Sequence, residues 1–146
     1  MDTGDLTSLG IANLHTGVPS VRTKTPLKSD KVVVVDCDDT LVMWDLSRYP
    51  DLPTIELDCW GAVKLRVNPK NVNLVRKLAK LGYTIIIWSQ TGWEWAEAVA
   101  KGVGLYEEAS MFLTKPRYHV DDLPSSVWMG PRLWRHPVTG NEQFDE

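Results

Sequence analysis

Four valines lead directly into three aspartates in the stretch KVVVVDCDDTLV, which runs from Lys31 to Val42. A short, continuously apolar and β-branched run predicts a strand that is covered on both faces in a parallel sheet. Carboxylates held this close together repel one another, so a folded chain needs a compensating reason to keep them at the end of an apolar strand. A bound cation is the usual reason, and the stretch therefore predicts a functional site at a strand end.

The composition limits the classes of protein that need consideration. With 146 residues, 43% of them hydrophobic and 24% charged, the chain is predicted to form one globular domain. The net charge of -3 gives no overall attraction to nucleic acids or anionic membranes. No apolar run reaches the length of a membrane span and no secretory signal pattern is present, so we expect a cytoplasmic protein without a membrane partner. Cys37 and Cys59 are expected to be reduced thiols.

Alternating strand and helix patterns predict an α/β fold. We expect a Rossmann-like, mainly parallel sheet flanked by helices, with a small β-hairpin flap at about 54–67 and no large cap domain. Residues 1–30 show neither the helical nor the strand periodicity of apolar residues. They are predicted to be a weakly ordered or docking tail, ahead of a domain over residues 31–146. The other expected elements are strands at 31–36, 83–89, 111–113, 117–120 and 132–134, a helix that begins at Asn68 and Pro69 and ends at Gly82, and a helix at 93–101.

Tryptophan is unusually frequent, with seven residues against two phenylalanines. Because an indole ring fills a large volume, Trp88 and Trp128 are predicted to pack in the core. Several other tryptophans fall in predicted loops or at a helix start, where they would suit the lining of a site for a ring-bearing ligand. They are Trp44, Trp60, Trp93 and Trp95.

Polar side chains follow the predicted strands at the points where ligands bind to an open α/β sheet, outside the carboxyl ends of its strands. They are Asp36 and Asp38 after the first strand, Ser89 and Gln90 after the second, Lys115 after the third, and Asp121 and Asp122 after the fourth. Because parallel strands end at the same edge, carboxylates, a hydroxyl and an ammonium are expected to meet at one rim.

The acidic members of this set suit magnesium-assisted phosphoryl transfer. Mg²⁺ typically takes one or two carboxylates, keeps several waters and binds a substrate phosphate, and Asp36, Asp121 and Asp122 are candidate ligands. A carboxylate at a strand end can also attack phosphorus and form an acyl phosphate, which assigns nucleophilic attack to Asp36. Asp38 is two residues further on, where it could act as general acid toward the leaving group and then as general base toward water.

The remaining members of the set suit phosphate binding. Ser89 and Lys115 are predicted to hold the transferring phosphoryl oxygens and to stabilise the charge of the transition state. Lys101 and Arg117 are alternative sources of that positive charge. Further candidate substrate contacts are Thr40, Gln90, Lys64 and Arg66, with Trp60 at the hairpin tip available to stack on a base. For Lys64 and Arg66, a solvated basic face is the competing interpretation.

The same residues resemble the motifs of the haloacid dehalogenase superfamily. DCDDTL is similar to its DxDxT signature, IIIWS to its second motif, Lys115 to its third and YHVDD to its fourth, in the expected order over roughly residues 31–123. The resemblance implies a Mg²⁺-dependent enzyme with Asp36 as nucleophile and Asp38 as acid/base. It also implies that Mg²⁺ is held by the side chain of Asp36, the main-chain carbonyl of Asp38 and an acid of the fourth motif.

Within that superfamily, an aspartate at the position of Asp38 is typical of phosphatases and phosphomutases, so the resemblance implies a phosphoric monoester hydrolase. The short hairpin flap implies an open site, as in the phosphatase domain of polynucleotide kinases and the small magnesium-dependent phosphatases. A nucleotide or nucleic-acid 3′-phosphate is then the leading substrate class. A phosphoprotein or sugar-phosphate phosphatase and a non-catalytic module that binds a phosphorylated ligand remain alternatives.

Overall fold

The computed structural model describes residues 21–24 and 31–142. Its strands are β1 (Val21–Thr23), β2 (Val32–Asp36), β3 (Val42–Met43), β4 (Thr54–Asp58), β5 (Ala62–Val67), β6 (Thr84–Ser89) and β7 (Ala109–Thr114). Its helices are α1 (Pro69–Lys80), α2 (Trp93–Val103) and the single turn α3 (Ser125–Trp128). None of these helices has the length and apolar character that crossing a membrane requires. Residues 21–24 belong to the predicted tail, and the rest of that prediction lies outside the described residues.

The main sheet confirms the predicted fold class. Its four strands lie in the order β1-β7-β6-β2, in which β2, β6 and β7 are parallel and the short β1 pairs antiparallel with β7. Both α1 and α2 contact β6, whose residues Thr84 to Ile87 are all buried. The described residues include no large cap domain, so the architecture is a small Rossmann-like sheet with flanking helices.

Strand β2 is less buried than its valine run predicts. It is an edge strand of the sheet in the described part of the chain, and only Val35 in it is fully buried. Val32 is 43% exposed. A continuous apolar run predicts that a strand can be buried on both faces. Its actual burial depends on which strands and helices pack against it, and the run does not specify these.

Two predicted strands are wrong. Residues 117–120 and 132–134 form no strand, and every residue from 116 to 133 is exposed. The side chain of Tyr118 is 82% exposed. Short alternating segments cannot show whether a partner strand is within reach, and no other described segment pairs with these. The only pairing after β7 in the described residues is an isolated bridge between Arg135 and Glu142.

The hairpin flap is confirmed at the predicted position. Strands β4 and β5 pair antiparallel from Thr54 opposite Arg66 to Asp58 opposite Ala62, and β3 pairs with the other edge of β5. The flap packs so closely on α2 that a Cβ atom at Gly102 would overlap the side chain of Leu57. Glycine at this position therefore lets the flap approach the helix that follows β6.

Helix α1 begins as the sequence predicts. The side chain of Asn68 accepts hydrogen bonds from the N–H groups of Lys70 and Asn71, and Pro69 occupies the first helical position. Asn68 is fully buried, and its Nδ2 donates to the carbonyl of Arg135 at 3.1 Å. One side chain thus caps the helix and fixes the C-terminal segment against it.

We expect Asn68→Ala to lower the free energy of unfolding by about 2 kcal/mol, because the helix loses its cap and a carbonyl loses its donor. Chemical denaturation would measure the change. Asn73→Ala is the matched control, since Asn73 is an exposed asparagine of the same helix, and its effect should stay within about 0.5 kcal/mol. Equal effects of the two substitutions would contradict the capping role.

Candidate active site

A tight turn after β2 displays the first acidic residues. The N–H groups of Leu41 and Val42 both donate to the carbonyl of Cys37, and Cys37 and Leu41 are fully buried. Asp39 adopts a left-handed conformation with φ of 60°, which lets the chain reverse within a few residues. Because the two buried residues anchor the turn, the polar residues between and beside them are held at the rim of the sheet.

Asp36 ends β2 and carries a perturbed carboxyl group. Its Oδ2 accepts from the Thr40 hydroxyl at 3.3 Å, and the Lys115 ammonium lies 3.9 Å from Oδ1. Partial burial raises the pKa of Asp36 above its usual range and nearby Asp38 adds to the rise, while Lys115 and Thr40 oppose it. The folded protein therefore holds this carboxylate at an electrostatic cost, as expected of a functional group rather than a solvated loop acid.

Asp38 is the most heavily hydrogen-bonded carboxylate of the rim. Its Oδ1 accepts from the indole N–H groups of Trp44 at 2.7 Å and Trp95 at 3.0 Å, and the Ser89 hydroxyl lies 3.4 Å from Oδ2. These donors come from the loop after β3, from α2 and from the end of β6. Three separate parts of the fold therefore fix the position of one side chain.

The ends of β6 and β7 are tied together at Ser89. The Lys115 N–H donates to the Ser89 carbonyl at 2.9 Å, and the Thr91 N–H donates to the Ser89 hydroxyl at 3.1 Å. Ser89 is fully buried, whereas the next residue, Gln90, is exposed. The Lys115 ammonium also lies 6.0 Å from the ring centroid of Trp88, which helps to direct it toward Asp36.

The structure thus brings together the four residues with predicted catalytic roles, namely Asp36, Asp38, Ser89 and Lys115. It also distinguishes Lys115 from the alternative cations. Lys101 pairs with Glu97 along α2, and Arg117 lies over the ring of Tyr118.

The predicted metal ligands are not gathered in the same way. Among the described residues, no three histidine, cysteine, aspartate or glutamate side chains form a group that could hold a metal ion. Asp121 and Asp122 are exposed, and Asp121 accepts a hydrogen bond from the N–H of Leu123. They follow the segment 117–120 that forms no strand, so their predicted approach to Asp36 lacks its structural basis. The four-residue metal site is not assembled in this structure.

The hairpin residues take different positions from those that the sequence predicts. The guanidinium of Arg66 donates to the carbonyls of Leu46 and Leu52 at 2.6 and 2.7 Å, so it fixes the loop between β3 and β4 rather than a substrate. Lys64 is exposed and stands opposite Glu56 across the hairpin, which fits the solvated face.

Trp44 and Trp95, rather than the hairpin cations, contact the site through their hydrogen bonds to Asp38. Trp95 is buried and stacks on both Trp44 and Trp60, with ring centroids 5.8 and 6.4 Å apart. Trp60, the predicted stacking residue, is 62% exposed at the outer end of this row. Trp128, predicted to be a core residue, is 50% exposed, because its short helix lies outside the core.

Two supporting residues were not predicted. Asn71 is buried on α1, where its Nδ2 donates to the Thr40 carbonyl at 2.9 Å and its Oδ1 accepts from the Arg135 N–H at 2.8 Å. The Trp134 indole N–H donates to the Asp39 carbonyl at 2.9 Å. For Asn71, the sequence signal that could have indicated a buried role is an asparagine one turn after the cap, within the apolar stripe of α1. No sequence pattern indicates the role of Trp134.

Comparisons with protein-family models, with curated proteins and with solved structures return no match for the chain. The resemblance to the haloacid dehalogenase superfamily stays a prediction from the motifs.

The raised pKa of Asp36 predicts how stability depends on pH. Because the folded state holds the ionised group less well than the unfolded chain does, stability is lost as the pH rises from the ordinary value of 3.8 through the raised pKa. Asp36→Asn removes this loss. We expect its melting temperature in EDTA to exceed that of the wild type at pH 7, and the difference to shrink as the pH falls toward about 4.

Asp39→Asn is the control for this measurement. Its carboxyl group is exposed in the same turn, and asparagine tolerates the left-handed backbone. The melting curves of this variant should follow those of the wild type. A wild type that is more stable than Asp36→Asn at pH 7 would show that the pairing with Lys115 outweighs the burial of Asp36.

Proposed function

We propose that the chain is a Mg²⁺-dependent phosphomonoester hydrolase that works through an aspartyl-phosphate intermediate. The observation that supports it is the meeting of Asp36, Asp38, Ser89 and Lys115 at one rim, delivered by the ends of three parallel strands. A nucleophile, an acid/base and phosphate-binding donors are the parts that phosphoryl transfer to a carboxylate requires.

Asp36 is the proposed nucleophile. A bond forms between one of its carboxylate oxygens and phosphorus while the bond from phosphorus to the leaving oxygen breaks, which yields an acyl phosphate. Lys115 lies near the attacking carboxylate, where its charge would offset that of the incoming phosphoryl oxygens. The Ser89 hydroxyl accepts from Thr91, so its own proton is available for Asp38 or for a phosphoryl oxygen.

Asp38 is the proposed acid/base. It gives a proton to the leaving oxygen and later takes one from the water that hydrolyses the acyl phosphate. In the structure its oxygens accept hydrogen bonds from three donors, two of which are indole N–H groups on Oδ1. Trp44 is 48% exposed, so its hydrogen bond to Asp38 is the one that the leaving oxygen would replace.

Mg²⁺ is proposed with a smaller set of ligands than the sequence predicted. Asp36 is a half-buried carboxylate at the rim, and it fits the mode in which Mg²⁺ takes one or two carboxylates and completes its shell with waters and substrate oxygens. The ion would neutralise phosphate charge when bound.

The described residues include no large cap domain, which favours phosphate groups on bulky molecules. A nucleotide or nucleic-acid 3′-phosphate remains the proposed substrate class.

Both cysteines are free, in keeping with the proposed cytoplasmic location.

Asp36→Asn should lower kcat for p-nitrophenyl phosphate by at least about 10³-fold, because the amide cannot form the acyl phosphate. Asp51→Asn should stay within about threefold of the wild type, since its carboxylate is exposed in the loop between β3 and β4. EDTA should abolish the wild-type activity and added Mg²⁺ should restore it. A wild type that turns over no member of a broad phosphoester panel, yet binds phosphate, would instead identify a binding module.

Asp38→Asn should separate substrates by their leaving groups. General acid–base catalysis contributes about 10²- to 10⁴-fold, and an alkyl phosphate needs all of it. p-Nitrophenyl phosphate needs no acid, so the variant should release about one equivalent of p-nitrophenol per enzyme rapidly and then stall, because hydrolysis of the intermediate lacks its base. Stopped-flow absorbance would measure this burst. Equal rate losses for both substrates, with no burst, would contradict the assigned role.

A further inference from the structure

A cavity of about 260 Å³ lies beside the tight turn after β2. Three aromatic rings line it, those of Trp44, Tyr49 and Trp134. Three charged side chains, those of Asp39, Asp45 and Arg48, and the apolar Met43 complete the lining. Neither the proposed transfer step nor the predicted substrate contacts use this space.

The cavity adjoins Asp38, the proposed acid/base. Trp44 is its shared wall, because the same indole donates to Asp38 at 2.7 Å. Trp134 is tied to the turn after β2 through its hydrogen bond to the Asp39 carbonyl. If Asp38 protonates the leaving oxygen, the group attached to that oxygen extends past Asp38 toward Trp44.

Two of the aromatic walls are held in place by His136. Its Nδ1 accepts from the N–H groups of Val138 and Thr139, both at 3.2 Å, so the proton of the neutral ring is on Nε2. That nitrogen lies 3.4 Å from the Tyr49 hydroxyl, to which it can donate. The His136 ring also packs edge-on against both Tyr49 and Trp134. A wall ordered in this way before binding lowers the entropic cost of binding a flat ligand.

The charged residues of the cavity offer both donors and acceptors. The guanidinium of Arg48 lies 5.3 Å from the ring centroid of Tyr49, and no carboxylate of the described residues lies within ion-pair distance of it. Asp45 is fixed by hydrogen bonds from the hydroxyl and N–H of Ser47, which lower its pKa and keep it an acceptor. A ligand edge that carries both acceptors and donors would complement this pair.

We propose that this cavity binds the nucleobase of a phosphorylated nucleoside, an assignment that rests on the proposed function and specifies its substrate. The aromatic walls stack on the flat face of any base, while Arg48 and the nearby carboxylates meet the polar edge of the ring. A phenol ring has only one hydroxyl for these charged groups, and a sugar has no flat face for the walls. The volume is below the roughly 300 Å³ at which pockets for drug-sized ligands begin, which suits one base.

Binding of unphosphorylated ligands tests the cavity without catalysis. Calorimetric titration of the full chain and of Asp36→Asn with adenosine and cytidine should show binding of at least one nucleoside that is about tenfold or more tighter than that of ribose or tyrosinamide. Binding by Asp36→Asn should equal that of the wild type. Ribose or tyrosinamide binding as tightly as both nucleosides would overturn the proposal.

Matched substitutions locate the binding. Arg48→Met and Trp134→Leu should each weaken nucleoside binding at least about fivefold. Arg117→Met is the control for the first, because Arg117 also lies over the tyrosine that follows it, at 5.8 Å, but outside the cavity. Trp128→Leu is the control for the second, as an exposed tryptophan elsewhere. Unchanged binding in both cavity variants, with melting temperatures that show folded protein, would overturn the assignment.

These outcomes separate the two proposals. Nucleoside binding without any phosphatase activity would sustain the cavity and remove the catalytic function, whereas turnover of aryl and sugar phosphates without nucleoside binding would do the reverse. Titration of Asp36→Asn with a nucleoside 3′-monophosphate and with a 3′-phosphorylated oligonucleotide would show which source supplies the base. Tighter binding of the oligonucleotide would favour a nucleic-acid end as the source of the base, and tighter binding of the mononucleotide would favour a free nucleotide.

Discussion

The parallel register of β2, β6 and β7 is the constraint on which the candidate site depends. Asp36 stands opposite Trp88, and Ser89 stands opposite Thr114, so the three strands end within one or two residues of the same level. A slip of one residue in either pairing would turn the terminal side chains to the other face. The apolar strands are therefore aligned to support the polar rim as well as the core.

A second constraint links the rim to the aromatic row. The carboxylate of Asp38 accepts from Trp44, Trp95 and Ser89, so packing of α2 and of the loop after β3 is coupled to the position of one acidic group. Trp95 is buried in the core as well, which makes it both a packing residue and a donor. Charge and packing thus specify the same local arrangement, as expected where a site must be rigid.

The sequence predicts the parts of this structure that depend on local patterns. β-Branched runs locate β2 and β6, and an asparagine followed by proline locates the start of α1, because each signal lies within the element that it predicts. The approach of Trp95 to Asp38 joins residues 57 positions apart, and no local pattern encodes it. The predicted position of Asp121 was wrong for the same reason. It required residues 117–120 to pair with another strand, and no local pattern shows whether such a strand is within reach.

The electrostatics of the rim connect stability with the proposed chemistry. Burial raises the pKa of Asp36, and Lys115 offsets only part of that rise, so the rim holds a carboxylate that the fold does not fully compensate. A cation, or a phosphate that engages Lys115 and then becomes bonded to Asp36, would remove that cost. Sites that do chemistry keep such uncompensated groups at the expense of stability, whereas a solvated acidic turn would have no reason to bury one. The partial burial of Asp36 is thus the feature that distinguishes this strand end from a solvated acidic turn.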